Sequence, residues 1–234
     1  MEFKDKKILV VVAHPDDEIL GLGATMHNII RETNCETRVV ILGEGITSRS
    51  DSRDTEMWKK ELQIHRSNIK SATTTIGYGN VSVYDFPDNR FDSVDLLDLV
   101  KTIEKEKQDF NPDIIFTHHG GDVNIDHQMT FQAVNTACRP MEQENVRSII
   151  TFETASGTEW IASTDPRKFV PNFYFSIEKV DLDAKIKAME SYEFEKRPYP
   201  HPRSPEALEI IAKRWGTVVG TQMAEAFCIV RHIQ

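Results

Sequence analysis

The fold is decided by the stretch Lys7-Ile-Leu-Val-Val-Val-Ala13 near the start of the chain. It is an unbroken run of β-branched and aliphatic residues, which is typical of a strand covered on both faces of a parallel sheet. The run ends at His14-Pro15, and residues 21–32 then carry apolar side chains on one helical face, at Leu22, Met26, Ile29 and Ile30. The stretch therefore predicts a central strand, a loop and a helix.

The same alternation continues along the chain. Strands are predicted at 37–42, 81–86, 113–117, 148–153, 173–177 and 226–231. Helices are predicted at 55–69, 94–106, 184–192 and 205–219, with one more that begins at Asp126 as its N-cap and continues to about Cys138. Strands that alternate with helices predict an α/β fold with a doubly wound, mainly parallel sheet. The proline-rich segment 196–205 is predicted to be a loop over the sheet edge.

Size and composition limit the classes of protein that fit. The 234 residues suit one large domain, 1–234, and the net charge of -9 opposes binding to nucleic acid. The three cysteines, Cys35, Cys138 and Cys228, form neither a disulfide framework nor a CxxC pair, which favours a reducing compartment. The apolar run 8–13 is too short for a signal-peptide core or a membrane span. We therefore expect a cytoplasmic protein with a small-molecule substrate and no integral membrane segment.

Gly21-Leu-Gly23 after the first strand invites a dinucleotide-binding interpretation. The third glycine position of G-x-G-x-x-G holds Met26, however, and carboxylates stand where a pyrophosphate would lie. We expect the glycines to let the helix pack close to the sheet instead. The three tryptophans, Trp58, Trp160 and Trp215, are expected in the core or in a pocket wall.

Two loops carry a concentration of chemically active side chains. In open α/β sheets the ligand site lies beyond the carboxyl ends of the central strands, where loops of adjacent strands meet. The loop 13–18 contains His14, Asp16 and Asp17, and the loop 122–127 ends in His127. If the two preceding strands are neighbours, His14, Asp17 and His127 can meet. Two imidazoles and one carboxylate are a common ligand set for catalytic zinc, with the fourth position left for water.

A carboxylate beside the ligands has to take the proton of that water. Asp16 is placed for this role, because consecutive side chains in an irregular turn diverge. One of Asp16 and Asp17 then faces the metal while the other faces the water.

The AHPDDE stretch at 13–18 and the D-x-N-x-D-H stretch at 122–127 resemble the LmbE/PIG-L family of zinc-dependent N-deacetylases. Ala224-Glu-Ala-Phe227 and the loop around His201 are similar to later segments of the family. The resemblance implies a Rossmann-like three-layer fold, one Zn²⁺ per chain held by His14, Asp17 and His127, and Asp16 as general base. Another divalent ion such as Fe²⁺ stays open as the native metal.

Other polar residues are weaker candidates. Some members of the family have a histidine at the position of Asn124, so Asn124 or His201 is expected to assist catalysis. Arg203 and His119 are candidates for substrate binding, although a solvated loop arginine is the commoner case and one of the adjacent His118 and His119 is expected to be packed. Asp126 is expected either to cap its helix or to orient an active-site group.

The resemblance implies removal of an N-acetyl or other N-acyl group from an amino sugar by a metal-dependent hydrolase. The sequence leaves open whether the sugar is free, nucleotide-linked, lipid-linked or part of a glycan, and whether the chain forms a homo-oligomer. One alternative is an amidase for a non-sugar amide, such as a thiol conjugate or an antibiotic intermediate. The other is a catalytically silent sugar-binding protein, against which the retained Asp16 argues because a binding module needs no base.

Overall fold

A seven-stranded sheet forms the centre of the computed structural model, which describes residues 1–234. The strands are β1 Lys7–Val12, β2 Glu36–Gly43, β3 Asn80–Phe86, β4 Ile114–His118, β5 Ser148–Phe152, β6 Phe173–Ser176 and β7 Ala224–His232. Their order across the sheet is β3-β2-β1-β4-β5-β7-β6. Strands β1 to β5 pair in parallel, whereas β7 is antiparallel to β5 and β6. The predicted α/β fold with a mainly parallel sheet is confirmed.

Helices cover both faces of this sheet. They are α1 Asp17–Leu20, α2 Gly23–Glu32, α3 Lys59–Ile76, α4 Leu96–Phe110, α5 Ile125–Ala137, α6 Lys179–Glu190 and α7 Pro205–Val219. Successive side chains of β1 point to opposite faces. Ile8, Val10 and Val12 therefore share one apolar cluster with α1, α2, α3 and α6, while Leu9 and Val11 share the other with α4 and α5.

Burial explains why β1 is central. Residues Ile8 to Val12 have no exposed surface, so both faces of the strand lie in the core. Each such aliphatic side chain stabilises the fold by about 1.5–3 kcal/mol relative to an exposed one. The uninterrupted apolar run near the start of the chain thus determines the middle of the sheet.

Gly21 shows why the segment after β1 contains glycine. It lies against Phe152 at the end of β5, and a Cβ atom on Gly21 would stand 2.1 Å from Cδ2 of the Phe152 ring. No side chain fits there without displacing the aromatic ring. The expectation that glycine allows close packing on the sheet is confirmed at this position.

Several helix boundaries differ from the prediction. α3 begins at Lys59 and extends past 69 to Ile76, because Ala72, Thr73 and Ile76 continue its buried face up to Gly77, which has a φ of 93°. α6 begins at Lys179, ahead of the predicted 184, because the Glu178 and Asp181 side chains cap each other's backbone N–H groups. The helices were predicted from the spacing of apolar residues, and that spacing does not reveal such helix ends.

The prediction that Asp126 is the N-cap of its helix is wrong. Asn124 is the N-cap of α5: its backbone is extended, and its side chain accepts a hydrogen bond of 2.9 Å from the Asp126 N–H. Asp126 lies in the first turn with its side chain fully buried. The cap lies two residues earlier than predicted because the Asp126 carboxylate instead contacts His14 Nε2 and the Phe91 N–H.

None of the helices combines the length and the apolar character that a bilayer crossing needs.

Candidate active site

The two loops that carry the candidate histidine and aspartate side chains meet at the carboxyl ends of neighbouring strands. β1 pairs directly with β4, in parallel, with Val11 beside Thr117. The loop after β1 contains residues 13–18, and the loop after β4 leads to Asp122 and His127. The chain reverses its direction of travel across the sheet between these strands, which is the usual position of a ligand site in this architecture.

The first loop turns sharply at Asp16. This residue has a φ of 107°, in the left-handed region that L residues rarely adopt. The Glu18 side chain accepts a 3.1 Å hydrogen bond from the Asp16 N–H, and Asp17 Oδ2 accepts one of 2.8 Å from the His14 N–H. The turn sends the Asp16 and Asp17 side chains in different directions, as expected from the sequence.

His14, Asp17 and His127 come together at the end of β1. One ligand atom from each of them lies within 4.8 Å of the other two. Asp17 Oδ2 is 3.5 Å from His14 Nδ1 and 3.4 Å from His127 Nε2. A single cation with bonds of about 2 Å can be reached by all three atoms with small side-chain adjustments.

The second nitrogen of each imidazole faces another carboxylate. His14 Nε2 donates to Asp126 Oδ2 over 2.8 Å, and Asp126 Oδ1 accepts a 2.8 Å hydrogen bond from the Phe91 N–H. His127 Nδ1 lies 3.1 Å from Asp122 Oδ2. Such outer carboxylates fix the orientation of a ligating imidazole and make its free nitrogen more basic. Of the two roles expected for Asp126, the geometry supports the orienting one.

Charges around the three groups favour a positive species between them. Burial opposes protonation of His14 and His127, but hydrogen bonds to Asp126 and Asp17 hold the pKa of His14 well above its usual value. Asp17 and Asp122 raise the pKa of His127 to about 9. The two imidazoles His127 and His118 in turn keep the pKa of Asp17 well below its usual range, against the effect of burial. A divalent cation bound to neutral imidazoles would supply the same positive charge.

The Asp16 side chain points away from the Asp17 side chain and towards Arg203. Its Oδ2 accepts a 2.9 Å hydrogen bond from Arg203 Nη1, which also donates to Glu195 Oε2 over 2.7 Å. Burial raises the pKa of Asp16 well above its usual value, with Arg203 acting against this rise and Asp17 adding to it. A carboxylate with a raised pKa is a better proton acceptor near neutral pH.

His118 and His119 have different surroundings. His118 is fully buried, stacks on His127 at a centroid distance of 3.9 Å, and accepts a 2.9 Å hydrogen bond from the Ala13 N–H. Burial, together with the charge of His127, lowers the pKa of His118 to about 4, so it stays neutral. His119 lies 2.7 Å from the Arg167 carbonyl through Nε2. The expectation that one of the pair is packed is confirmed, and His118 is the packed one.

A cavity of about 110 Å³ opens over these groups. We call it the polar cavity. It is lined by His14 and Asp16 of the first loop, by Asn124 and His127 of the second, and by Ala155 and Arg203 from other segments. Asn124 Nδ2 donates one hydrogen bond, of 3.1 Å, to Asn89 Oδ1. The structure therefore brings Asn124 and Arg203 to the same cavity as Asp16 and two of the predicted metal ligands, His14 and His127.

His201 and His119 are not among the residues that line the polar cavity. The His201 ring packs edge-on against Trp160, which is half exposed, and His201 Nδ1 accepts a 3.2 Å hydrogen bond from the Arg203 N–H. Its contact with the site thus runs through Arg203. The roles predicted for both histidines stay predictions.

Four ionisable lining residues were not predicted from the sequence: Arg49, His65, Asp88 and Glu195. Glu195 accepts from Arg49 Nη2 over 2.6 Å and from Arg203, and His65 Nε2 lies 3.5 Å from it. Burial works against ionisation of Glu195, yet contacts with His65, Arg203 and Arg49 lower its pKa to about 2. Glu195 directly precedes the loop predicted at 196–205, and this was the only local signal for it.

The comparison with known families settles the class of protein. Residues 9–138, more than half of the 234-residue chain, match the PIG-L family, described as GlcNAc-PI de-N-acetylase. The chain belongs to the PIG-L family. The match includes both loops of the site, so the region that this PIG-L family member shares with the family contains His14, Asp17 and His127.

Several known proteins are similar to this PIG-L family member in sequence or in fold. YaiS, an uncharacterized deacetylase of Escherichia coli strain K12, is 25% identical over 194 residues, which are 81% of this chain and 91% of YaiS. N,N'-diacetylchitobiose deacetylase from Pyrococcus horikoshii shares the fold with a TM-score of 0.72 and 19% identity, covering 97% of this chain and 84% of its own. GalB, the 4-carboxy-2-hydroxymuconate hydratase of Pseudomonas putida KT2440, gives the same TM-score of 0.72 and 19% identity, over 98% of both chains.

Proposed function

We propose that the protein hydrolyses the N-acetyl, or another N-acyl, group of an amino sugar to give the free amine and a carboxylate. The observation that carries this proposal is that Asp16 lines the same polar cavity as His14 and His127, which form one candidate metal-binding group with Asp17. GalB has a similar fold and is a hydratase, so the fold alone does not determine the reaction. The residues of the site, together with membership of a deacetylase family, support an amidase.

The donor set suits one zinc ion per chain. Two imidazoles and one carboxylate are available, and the distal nitrogens of the imidazoles face Asp126 and Asp122. This leaves Nδ1 of His14 and Nε2 of His127 as the ligand atoms. When bound, zinc would lower the pKa of a coordinated water and polarise the carbonyl of the amide. Two imidazoles and one carboxylate also bind iron(II) in proteins, so iron(II) or another divalent ion stays open as the native metal.

The residues of the chain supply the proton transfer and the orientation. Asp16 is proposed as the general base, since Arg203 occupies only its Oδ2 and the carboxylate borders the cavity. The Asn124 amide has a second N–H beyond the one given to Asn89, and we propose that it stabilises the oxyanion of the tetrahedral intermediate. Arg203 is proposed to hold Asp16 in place as well as to contact substrate.

An amino sugar as substrate is supported by two findings. The family description and the Pyrococcus relative both name N-acetylglucosamine derivatives or chitobiose. The polar cavity is lined mainly by charged and amide or hydroxyl side chains, such as Ser48, Asn89 and Arg49, which suit the hydroxyl groups of a sugar. The alternatives are a non-sugar amide and a sugar-binding protein without turnover. The three free cysteines support a reducing compartment, and we propose the cytoplasm.

The proposal is tested with purified protein. Metal analysis is expected to give about one divalent ion per chain, and a chelator is expected to abolish acetate release from N-acetylglucosamine, its nucleotide-linked form or N,N'-diacetylchitobiose. Asp16→Asn is expected to keep the metal and lose at least ~10²-fold in kcat. His127→Ala is expected to lose both the metal and the activity.

The matched control is Asp92→Asn, a change of an exposed carboxylate in the short 3₁₀ helix Phe91–Ser93. It is expected to keep both metal and activity. Unimpaired turnover in Asp16→Asn would remove the proposed base. Binding of these sugars by metal-loaded protein with no release of any acyl group would favour the silent binding protein.

A further inference from the structure

Glu18 is a buried carboxylate that is held by neutral donors. It has no exposed surface, and its side chain accepts two hydrogen bonds. Oε1 accepts one from the Tyr192 hydroxyl, and Oε2 accepts one of 3.1 Å from the Asp16 N–H. Because a buried carboxylate has lost its hydration, it depends on such donors. The Tyr192 hydroxyl therefore helps to keep Glu18 Oε2 in place beside the Asp16 N–H.

The backbone of Asp16 needs support from its surroundings. Its φ of 107° is a conformation that L residues keep only where neighbouring groups hold it. On one side of the residue the N–H donates to Glu18, and on the other the carbonyl accepts from the N–H groups of Ile19 and Leu20 over 3.0 and 2.9 Å. The Glu18 contact is the only one of these three that a side chain supplies. It therefore contributes to the turn that sends the Asp16 carboxylate into the polar cavity.

Tyr192 also reaches the side chain of Asp16, through its own main chain. It is fully buried and lies two residues after the end of α6. Its carbonyl accepts hydrogen bonds of 3.0 Å from the N–H groups of Glu195 and Lys196, which fix the turn that carries Glu195. Glu195 Oε2 and Asp16 Oδ2 then share Arg203 Nη1 as donor, over 2.7 and 2.9 Å. Two hydrogen-bonded routes thus lead from Tyr192 to Asp16.

The hydroxyl distinguishes Tyr192 from an aromatic residue that only fills the core, since a phenylalanine would occupy the same space. Tyr78 provides a comparison within the same structure. It is also buried, and its hydroxyl donates a 3.0 Å hydrogen bond to the main-chain carbonyl of Glu18. Tyr78 therefore contacts the same residue but not the carboxylate that accepts from the Asp16 N–H.

We propose that Tyr192 is a positioning residue for the general base: its hydroxyl holds the Glu18 carboxylate, and Glu18 holds the Asp16 backbone. This inference rests on the proposed function, because it gives Tyr192 a part in the proton transfer assigned to Asp16. Tyr192 is not among the residues that line the polar cavity. Its effect on the reaction therefore runs through Asp16.

Tyr192→Phe removes only the hydroxyl. The variant is expected to lose about 10-fold in kcat, because the base is less well oriented. KM and zinc affinity are expected to stay within about twofold of the wild type, since neither the cavity lining nor the predicted metal ligands change. Steady-state kinetics with the N-acetylated sugar that the wild type hydrolyses, and competition with a fluorescent zinc chelator, measure these quantities.

Tyr78→Phe is the matched control. It also removes one buried hydroxyl that donates to Glu18, so it is expected to lower the midpoint of thermal unfolding by a similar amount. Its kcat is expected to stay within about twofold of the wild type, because the contact from Glu18 Oε2 to the Asp16 N–H is retained.

Two further measurements test whether Tyr192 acts through Asp16. In an Asp16→Asn background, Tyr192→Phe is expected to change the residual kcat by less than about twofold, because the base is already absent. Hydrogen exchange of the Asp16 amide is measured by NMR in zinc-loaded protein and does not depend on turnover. It is expected to be at least ~10-fold faster in Tyr192→Phe than in the wild type and unchanged in Tyr78→Phe.

The inference is overturned if the two tyrosine variants lose kcat equally, if Tyr192→Phe costs a further ~10-fold in the Asp16→Asn background, or if the Asp16 amide exchanges equally in all proteins. Amide exchange separates the inference from the proposed function. If the wild type hydrolyses no N-acylated sugar while exchange rises only in Tyr192→Phe, the proposed function fails and the link from Tyr192 to Asp16 stands. If the wild type is active and Tyr192→Phe keeps both its kcat and its slow exchange, the proposed function stands and the inference fails.

Discussion

Arg203 Nη1 donates a 2.9 Å hydrogen bond to Oδ2 of Asp16, a residue 187 positions earlier in the chain. The same nitrogen donates to Glu195, and Arg203 Nε donates to Ser156 Oγ. One guanidinium therefore links the proposed general base, the Glu195 carboxylate and the segment that follows β5. Its planar set of donors suits this role better than an ammonium group does.

Removal of this guanidinium is expected to affect both stability and catalysis. Arg203→Ala leaves the Asp16 and Glu195 carboxylates without their shared partner and is expected to lower the free energy of unfolding by about 2–3 kcal/mol. Since Asp16 also loses its fixed orientation, kcat is expected to fall roughly 10- to 100-fold. Urea unfolding and steady-state kinetics measure the two effects.

Arg197→Ala is the control for Arg203→Ala, because Arg197 donates only to the carbonyls of Phe194 and Lys196 in the same loop. It is expected to change the unfolding free energy by less than about 0.5 kcal/mol. Equal effects of the two substitutions would mean that Arg203 acts only as a general loop contact.

Asp126 is expected to control metal affinity without touching the metal. Asp126→Asn keeps the size of the side chain but weakens its contact with His14 Nε2, which is now 2.8 Å long. Loss of such an outer carboxylate typically reduces metal affinity by about 10- to 100-fold. Competition with a fluorescent zinc chelator measures the change, and the exposed Asp92→Asn serves as control. Unchanged zinc affinity would contradict an orienting role for Asp126.

Asn124 combines two roles that one substitution can separate. Its Oδ1 caps α5, whereas its Nδ2 supplies the proposed oxyanion contact. Asn124→Ser retains a good capping oxygen and removes the amide donor, so it is expected to change stability by less than about 0.5 kcal/mol. Its kcat is nevertheless expected to fall by about 10²-fold.

Asn124→Ala removes both functions and is expected to cost about 1 kcal/mol of stability in addition to the loss of kcat. Thermal unfolding and kinetics of the two variants are compared with the wild type. If kcat of both variants stays within about twofold of the wild type, far from the ~10² loss of an oxyanion donor, Asn124 has no catalytic role.

Glu153 gives the protein a pH-dependent stability that lies outside the metal site. Burial raises its pKa from 4.5 to about 7, with the Trp215 hydrogen bond acting in the opposite direction. The folded protein thus binds this proton more tightly than the unfolded chain does. Its contribution to stability is fully present below about pH 4.5 and is lost as the pH rises towards about 7.

Glu153→Gln cannot lose that proton and still offers Trp215 an acceptor oxygen. Relative to the wild type, the variant is therefore expected to be more stable at about pH 8 than at about pH 5, by on the order of 1–3 kcal/mol. Urea unfolding of both proteins at the two pH values measures this difference. A difference that does not depend on pH would show that Glu153 titrates normally.

Local sequence accounts for the architecture. The apolar run at the start of the chain placed β1 in the middle of the sheet, because a strand with no polar side chain is stable only when both faces are covered. The alternation of strands and helices predicted a mainly parallel sheet, and helix ends were missed where capping side chains, such as Glu178 and Asp181, set them. Caps depend on single residues rather than on periodicity.

The sequence by itself determined which strand is central and which two loops carry the candidate site residues, since these follow from apolar patterning and from residues close together in the chain. Only the tertiary structure decided that His127 meets His14 and Asp17, that Asp126 contacts His14, that Arg203 contacts Asp16, and that His201 stays outside the polar cavity. These features depend on contacts between segments more than a hundred residues apart. Such contacts are fixed by strand pairing and by the packing of loops over the sheet edge, which leave no local pattern in the chain.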